Sequence, residues 1–177
     1  MRPICVALLL AWTAGCGGTG TSGGGGGGGS NANGAALNMD PHVQHCLASL
    51  NAFRAQHGAS ALSLDDQLTA FAYDAASMLQ AGGDAHGYFK SEADSGDIWK
   101  RGFCGNAGEN QTGAGWKVDG DEDATIDAVL QAMMDEGPGG GHYENIVSTG
   151  FTRVGVGLIV GSDKTFYMSN DFSGNCR

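Results

Sequence analysis

The side chains of this chain that can ligate metal, move protons or attack a carbonyl are few, with five histidines and five cysteines among 177 residues. His42 and His45 are three apart, a spacing that sets two imidazoles side by side on a helix. They suit a surface metal pair, and the polar side of a helix explains them equally well. Asp119-Gly120-Asp121-Glu122-Asp123 gathers carboxylates that can attract calcium. Its glycine is not at the sixth position that an EF-hand loop requires, so an acidic helix start is favoured. No His-Glu-x-x-His zinc helix is present, and no Gly-x-Ser-x-Gly elbow joins a strand to a helix. The run Gly137-Pro138-Gly139-Gly140-Gly141 lacks a phosphate-binding lysine and follows a helical pattern, so it reads as a flexible connection.

The first residues read as an address. Residues 1–15 carry one charge, Arg2, then an apolar run over 4–12 and the small residues Ala14 and Gly15 before Cys16. This is an export signal, too short to persist as a membrane-spanning helix. Thr13-Ala14-Gly15-Cys16 resembles a bacterial lipobox, with Thr13 where leucine is usual, and implies that Cys16 becomes a lipidated N-terminus holding the protein to a membrane. Gly17 after that cysteine is similar to the pattern sorted to the outer membrane or cell surface. Residues 17–34 are almost only Gly, Ser, Thr, Asn and Ala, which have little to bury and make a tether. The expected organisation is a signal peptide over 1–15, a lipidated cysteine and linker over 16–39, and one domain over 40–177, long enough to bury a core. The chain carries a formal charge of −10; without residues 1–15 it is 8 minus 19, about −11. That balance argues against nucleic acid as a partner. Export also implies oxidising surroundings for Cys46, Cys104 and Cys176. Three pairings are possible; Cys46 falls on an apolar helical face, which favours Cys104 with Cys176.

Helices come first along the domain. Asp40 before Pro41 is an N-cap with proline at the first helical position, and Val43, Cys46, Leu47, Leu50 and Phe53 recur at helical spacing until Gly58. Ser63 with Asp66 approaches a capping box for a second helix carrying Leu64, Leu68, Phe71, Ala75 and Met78, ended by Gly82-Gly83. A third piece spans residues 91–101. A fourth helix starts among Asp121, Glu122 and Asp123 and buries Ile126, Val129, Leu130, Met133 and Met134. Near the C-terminus the period changes to two: Val154, Val156, Leu158 and Val160 alternate with Gly155, Gly157 and Ile159. Gly161-Ser162-Asp163-Lys164 then turns the chain into a second strand, giving an antiparallel hairpin. Helices followed by a hairpin make the fold class α+β.

Several segments in this order, namely His86, Gly108-Glu109-Asn110, a helix running toward Glu136, Gly141-His142-Tyr143-Glu144-Asn145-Ile146 and Arg153-Val154-Gly155-Val156-Gly157, resemble the CAP superfamily. That superfamily comprises cysteine-rich secretory proteins, antigen 5, pathogenesis-related proteins and bacterial SCP-domain lipoproteins. The resemblance covers about residues 41–173. It implies a three-layer α-β-α sandwich with a small antiparallel sheet. It also implies a cleft shared by His86, Glu109, Glu136 and His142. The chain departs from the family pattern at Gly87, where serine is usual, and at Met133, where the family's helix carries tryptophan; Asp135 competes with Glu136. Two imidazoles and two carboxylates can bind a divalent cation such as zinc, with the carboxylates as ligands or as partners that fix the imidazole tautomer. They can instead pair a base with an orienting carboxylate, or form a satisfied polar network that locks the fold. The resemblance therefore implies a non-enzymatic extracytoplasmic binding module for a small molecule, lipid or envelope component. The alternatives are a secreted hydrolase or peptidase working with the same four residues, and a structural envelope protein.

Overall fold

The computed structural model describes residues 30–113 and 115–176. The expected signal peptide over 1–15, Cys16 and the first part of the expected linker lie outside the described residues. Among the described residues, no helix is long and apolar enough to cross a membrane.

The chain forms α1 (Ser30–Asn38), α2 (Pro41–Gln56), β1 (Ser63–Leu64), α3 (Asp66–Gln80), α4 (Gly87–Ser95), a 3-10 turn (Asp97–Arg101), β2 (Ala107–Gln111), α5 (Glu122–Met134), α6 (Gly141–Val147), β3 (Arg153–Val160) and β4 (Phe166–Ser173). The caps explain most boundaries. Asp40 accepts from the backbone N–H of His42, and Asp121 accepts from that of Ala124. For α3 the cap is Asp65, which accepts from Gln67 and Leu68, while Ser63 and Leu64 are extended. The piece read over 91–101 divides at Gly96, whose φ of 76° ends α4 and opens the 3-10 turn. Helix α1 lies ahead of Asp40 and docks on α3: Asn38 Nδ2 donates to Asp66 Oδ1 at 2.7 Å, and Thr69 Oγ1 donates to Asn38 Oδ1 at 2.6 Å.

The four strands take the order β1-β3-β4-β2. Strands β3 and β4 form the expected hairpin, and β2 pairs antiparallel with β4 on its other side. The short β1 runs parallel to β3, so the sheet is mixed where an all-antiparallel one was expected. Alternation along β3 and β4 divides the helices into two layers. Val154, Val156, Met168 and Phe172 join the core built with Val43, Cys46, Leu50, Ile126, Leu130 and Ile146. On the opposite face Gly155 and Gly157 lie under the backbone of α3. A second apolar cluster, Leu68, Phe71, Phe89, Ile98 and Phe103, closes that side. The result is the α-β-α sandwich. A disulfide joins Cys104, just before β2, to Cys176, just after β4, and Cys46 is a buried thiol.

The histidines at 42 and 45 join α2 to α5. His42 Nδ1 lies 2.7 Å from Asp123 Oδ1, and His45 Nε2 lies 2.9 Å from Asp127 Oδ1. Hydrogen bonding to Asp123 raises the His42 pKa above 6.5, with burial opposing and the charges of Glu122, Asp123 and Asp40 adding. A histidine whose folded pKa is raised stabilises the fold fully below its unfolded pKa, and loses that contribution as pH climbs through the folded value. Stability measured against pH should therefore fall between about pH 6.5 and the raised His42 value. In His42→Gln that part of the fall should be missing from melting curves taken at closely spaced pH; identical profiles for the two proteins would refute the assignment.

Candidate functional site

The cleft forms where edge strand β2 separates the two helical layers. Glu109 and Asn110 point to opposite faces because side chains alternate along a strand. Glu109 faces the α3 and α4 side, where its Oε2 lies 2.9 Å from His86 Nδ1. Asn110 faces α6: its Nδ2 donates to the His142 carbonyl at 3.0 Å, and its Oδ1 accepts from Asn145 Nδ2 at 2.9 Å. Asn145 Nδ2 also reaches the Glu109 carbonyl at 3.1 Å. Gly108 has no side chain because a Cβ there would lie 2.8 Å from Asn145 Oδ1 and 2.9 Å from Phe151 Cζ. Thus the Gly-Glu-Asn triplet has three separate tasks: close approach, a carboxylate for one layer and an amide for the other.

Each histidine is aimed by its own carboxylate. His86 adopts a left-handed φ of 62° immediately before α4, and its backbone N–H donates to Gln111 Oε1 at 2.6 Å. Histidine is among the residues that enter this region more readily than most. Glu136 grips His142 twice, with Oε1 2.6 Å from Nδ1 and Oε2 accepting the backbone N–H at 3.1 Å. It does so from the turn after α5; Asp135 instead accepts from Gln131 Nε2 at 2.7 Å and stays on the surface. The glycine run makes that turn possible. A Cβ at Gly140 would stand 2.4 Å from Glu136 Cβ, and Gly137 and Gly139 have φ of 68° and 92°. The chain then enters α6 at Gly141, the last residue of the glycine run, so His142 is held on a helix.

The four residues expected to meet do so as two carboxylate–imidazole pairs, whose rings lie 6.1 Å apart between centroids with planes inclined by 34°. His142 is only 2% exposed, and its Nε2 is buried with no hydrogen-bond partner. Both carboxylates occupy the Nδ1 side, so Nε2 is the nitrogen each ring would offer a cation. Among the described residues no group of three or more His, Cys, Asp or Glu side chains is disposed to hold a metal ion. The cleft by itself thus brings two imidazoles together, fewer than the three or four protein ligands of a zinc centre. Ser148, a potential nucleophile near His142 in sequence, is used elsewhere: its Oγ accepts the Gly150 N–H at 3.2 Å.

Sequence reading missed a third acid. Asp171 is fully buried and paired in register with Glu109 across β2 and β4. Ser169 Oγ lies between them, 2.8 Å from Asp171 Oδ2 and 3.3 Å from Glu109 Oε1. Burial raises the Glu109 carboxyl above its usual range, with the Ser169 hydroxyl opposing. Burial, then the adjacent Glu109 charge, raises Asp171 well above that range. The signal that could have exposed it is the polar alternation Ser169, Asp171, Ser173 within an otherwise core-forming strand. A separate cavity of about 210 Å³, lined by Phe89, Ile98, Trp99 and Ala107 among others, takes none of the four site residues as lining.

Comparison with known proteins agrees with this architecture. Residues 47–172 match the pattern of the CAP, or cysteine-rich secretory protein, family. The fold is shared with an extracellular protein containing an SCP domain from Bacillus anthracis, at 24% identity and a TM-score of 0.55 over 75% of this chain. That alignment covers 40% of the Bacillus protein, so this chain matches less than half of its length. An outer surface protein from Borrelia burgdorferi aligns with a TM-score of 0.60 at 14% identity, over 77% of this chain and 96% of its own. No curated protein matches in sequence. With the family pattern spanning both helical layers, the sheet and all four cleft residues, the chain belongs to the CAP family of cysteine-rich secretory proteins.

Proposed function

We propose that this protein is an exported, lipid-anchored binding module, without enzymatic activity, whose cleft takes a divalent cation between Nε2 of His86 and Nε2 of His142. The observation that carries the reading is the buried His142 Nε2 with no partner. A buried polar atom of that kind costs about 1–3 kcal/mol unless something satisfies it. The two carboxylates on Nδ1 reproduce the outer arrangement that orients metal-binding imidazoles and raises their basicity. Zinc suits two neutral imidazoles best, and when bound it supplies a Lewis-acidic point for an exogenous ligand. The protein's own part is to aim the rings, keep hydrogen on Nδ1 and shield His142 from solvent. Export is supported by the Cys104–Cys176 disulfide, which belongs to oxidising compartments. The extracellular and outer-surface relatives point the same way, and the sequence Thr13-Ala14-Gly15-Cys16 supports the anchor.

Calorimetric titration with zinc tests the cleft. One equivalent should bind, and binding should vanish in His86→Ala and His142→Ala while circular dichroism shows the helices intact. A variant lacking His42 and His45 should bind as the wild type does. Zinc uptake that survives loss of both cleft histidines would refute the reading.

A further inference from the structure

The row Ser169, Asp171 and Glu109 lies behind His86, and cation binding alone does not account for it. Ser169 Oγ is within hydrogen-bond distance of both carboxyls, yet a hydroxyl has a single hydrogen. It can donate to one carboxyl, and the oxygen it faces on the other must bring its own proton or stand lone pair to lone pair in a dry interior. With His86 donating from Nδ1 to Glu109 Oε2, two arrangements satisfy the contacts. In one, Asp171 is the neutral acid, its O–H donates to Ser169, and Ser169 donates to Glu109. In the other, Glu109 is neutral and the charge sits on Asp171. Asp171 Oδ1 decides between them, because it is buried and has no partner. An ionised carboxylate with an unpartnered oxygen is far costlier in that setting than the bare carbonyl of a neutral acid. The groups acting on Asp171 are Glu109 and Ser169, and α3 meets this face with backbone at Gly155 and Gly157.

We propose that Asp171 is a positioning residue of the cleft, a neutral acid that donates through Ser169 to Glu109 and so fixes His86 with its hydrogen on Nδ1 and its lone pair on Nε2. Burial raises both carboxyls, so it is the bare Oδ1 of Asp171 that makes the choice. The inference rests on the proposed function for the use of that lone pair, and not for the order of the hydrogen bonds.

The test is nitrogen NMR of the full chain, metal-free and labelled in histidine, together with infrared spectra of its carboxyl groups. The wild type should show His86 carrying hydrogen on Nδ1 and a neutral-acid carbonyl band that disappears in Asp171→Asn. The asparagine amide donates in place of the lost O–H, so the His86 tautomer should be unchanged in that variant. Ser169→Ala, which breaks the relay and spares both acids, should shift His86 to a mixture of tautomers. Hydrogen on His86 Nε2 in the wild type would overturn the proposal, as would an acid band that survives Asp171→Asn and so belongs to Glu109. If Asp171→Asn fails to fold, the wild-type tautomer and Ser169→Ala still decide. Zinc is titrated separately: the expected tautomer without zinc binding removes the cation reading and leaves the role of Asp171, and zinc binding without the acid band does the reverse.

Discussion

Replacing Arg54 with alanine is expected to cost about 3–5 kcal/mol, a large part of the roughly 5–15 kcal/mol that holds a domain together. Arg54 is fully buried, and its hydrogen bonds all go to carbonyls. Nε donates to Ser60 at 2.8 Å, Nη1 to Ile146 and Ser148 at 2.7 and 2.9 Å, and Nη2 to Phe151 at 3.0 Å. One guanidinium thereby ties α2 to the C-terminal carbonyls of α6 and to the approach to β3. Truncation opens a cavity and strands four acceptors, each worth about 1–3 kcal/mol when left unsatisfied in the interior. Part of that sum is returned by relief of the buried charge, whose desolvation lowers the Arg54 pKa. Arg54→Met separates the causes, since it restores volume without donors. Urea denaturation should place Arg54→Met well below the wild type and close to Arg54→Ala. A methionine variant within about 0.5 kcal/mol of the wild type would show that the hydrogen bonds contribute little net stability. Because the same bonds fix α6, Arg54→Met should also weaken any ligand held through His142.

Gly155→Val should be about as damaging, for a steric reason. A Cβ at Gly155 would lie 2.0 Å from the Leu68 backbone carbon, and one at Gly157 would lie 2.2 Å from that of Ala72. The obstacle is the main chain of α3, which cannot rotate aside as a side chain could. The helix must lift off the sheet, opening space along the remainder of its buried face, and a loss of about 3 kcal/mol or more is expected. Gly87→Ala provides the contrast. Its new Cβ would meet nothing nearer than Asp84 Cβ at 3.6 Å, so its unfolding midpoint should stay near the wild type. Equal midpoints for Gly155→Val and the wild type would mean that α3 is not seated on β3 as described.

These two positions illustrate what a linear reading can reach. The period of two in β3 was legible because Val154 and Val156 alternate with glycines, and so was the hairpin turn. The reason for glycine rather than any small polar residue was not, since the gap between α3 and the sheet is a property of two segments distant in sequence. Arg54 was invisible for a similar reason: on α2 it takes its place among residues that look solvated, and its acceptors come from carbonyls that no pattern marks. Helix α6 is a short element at seven residues, too few for a periodic signal. In the cleft, the order of His86, Glu109, Glu136 and His142 was readable through family resemblance. The division into two pairs, each using Nδ1, is set by folding, which brings His86 to Glu109 on β2 and His142 to Glu136 after α5. Asp171 is the most informative omission, because a buried carboxyl group in a strand departs from local propensity and such departures concentrate where a protein has a task beyond folding.

The proposed occupant of the cleft is a cation between the Nε2 atoms of His86 and His142. Crystals soaked in zinc and measured at the zinc absorption edge test it directly. A single anomalous peak about 2.0–2.1 Å from both Nε2 atoms, with Glu109 and Glu136 still on Nδ1, is the predicted result. Zinc found only between His42 and His45, or bound with either carboxylate displaced from its imidazole, would contradict it.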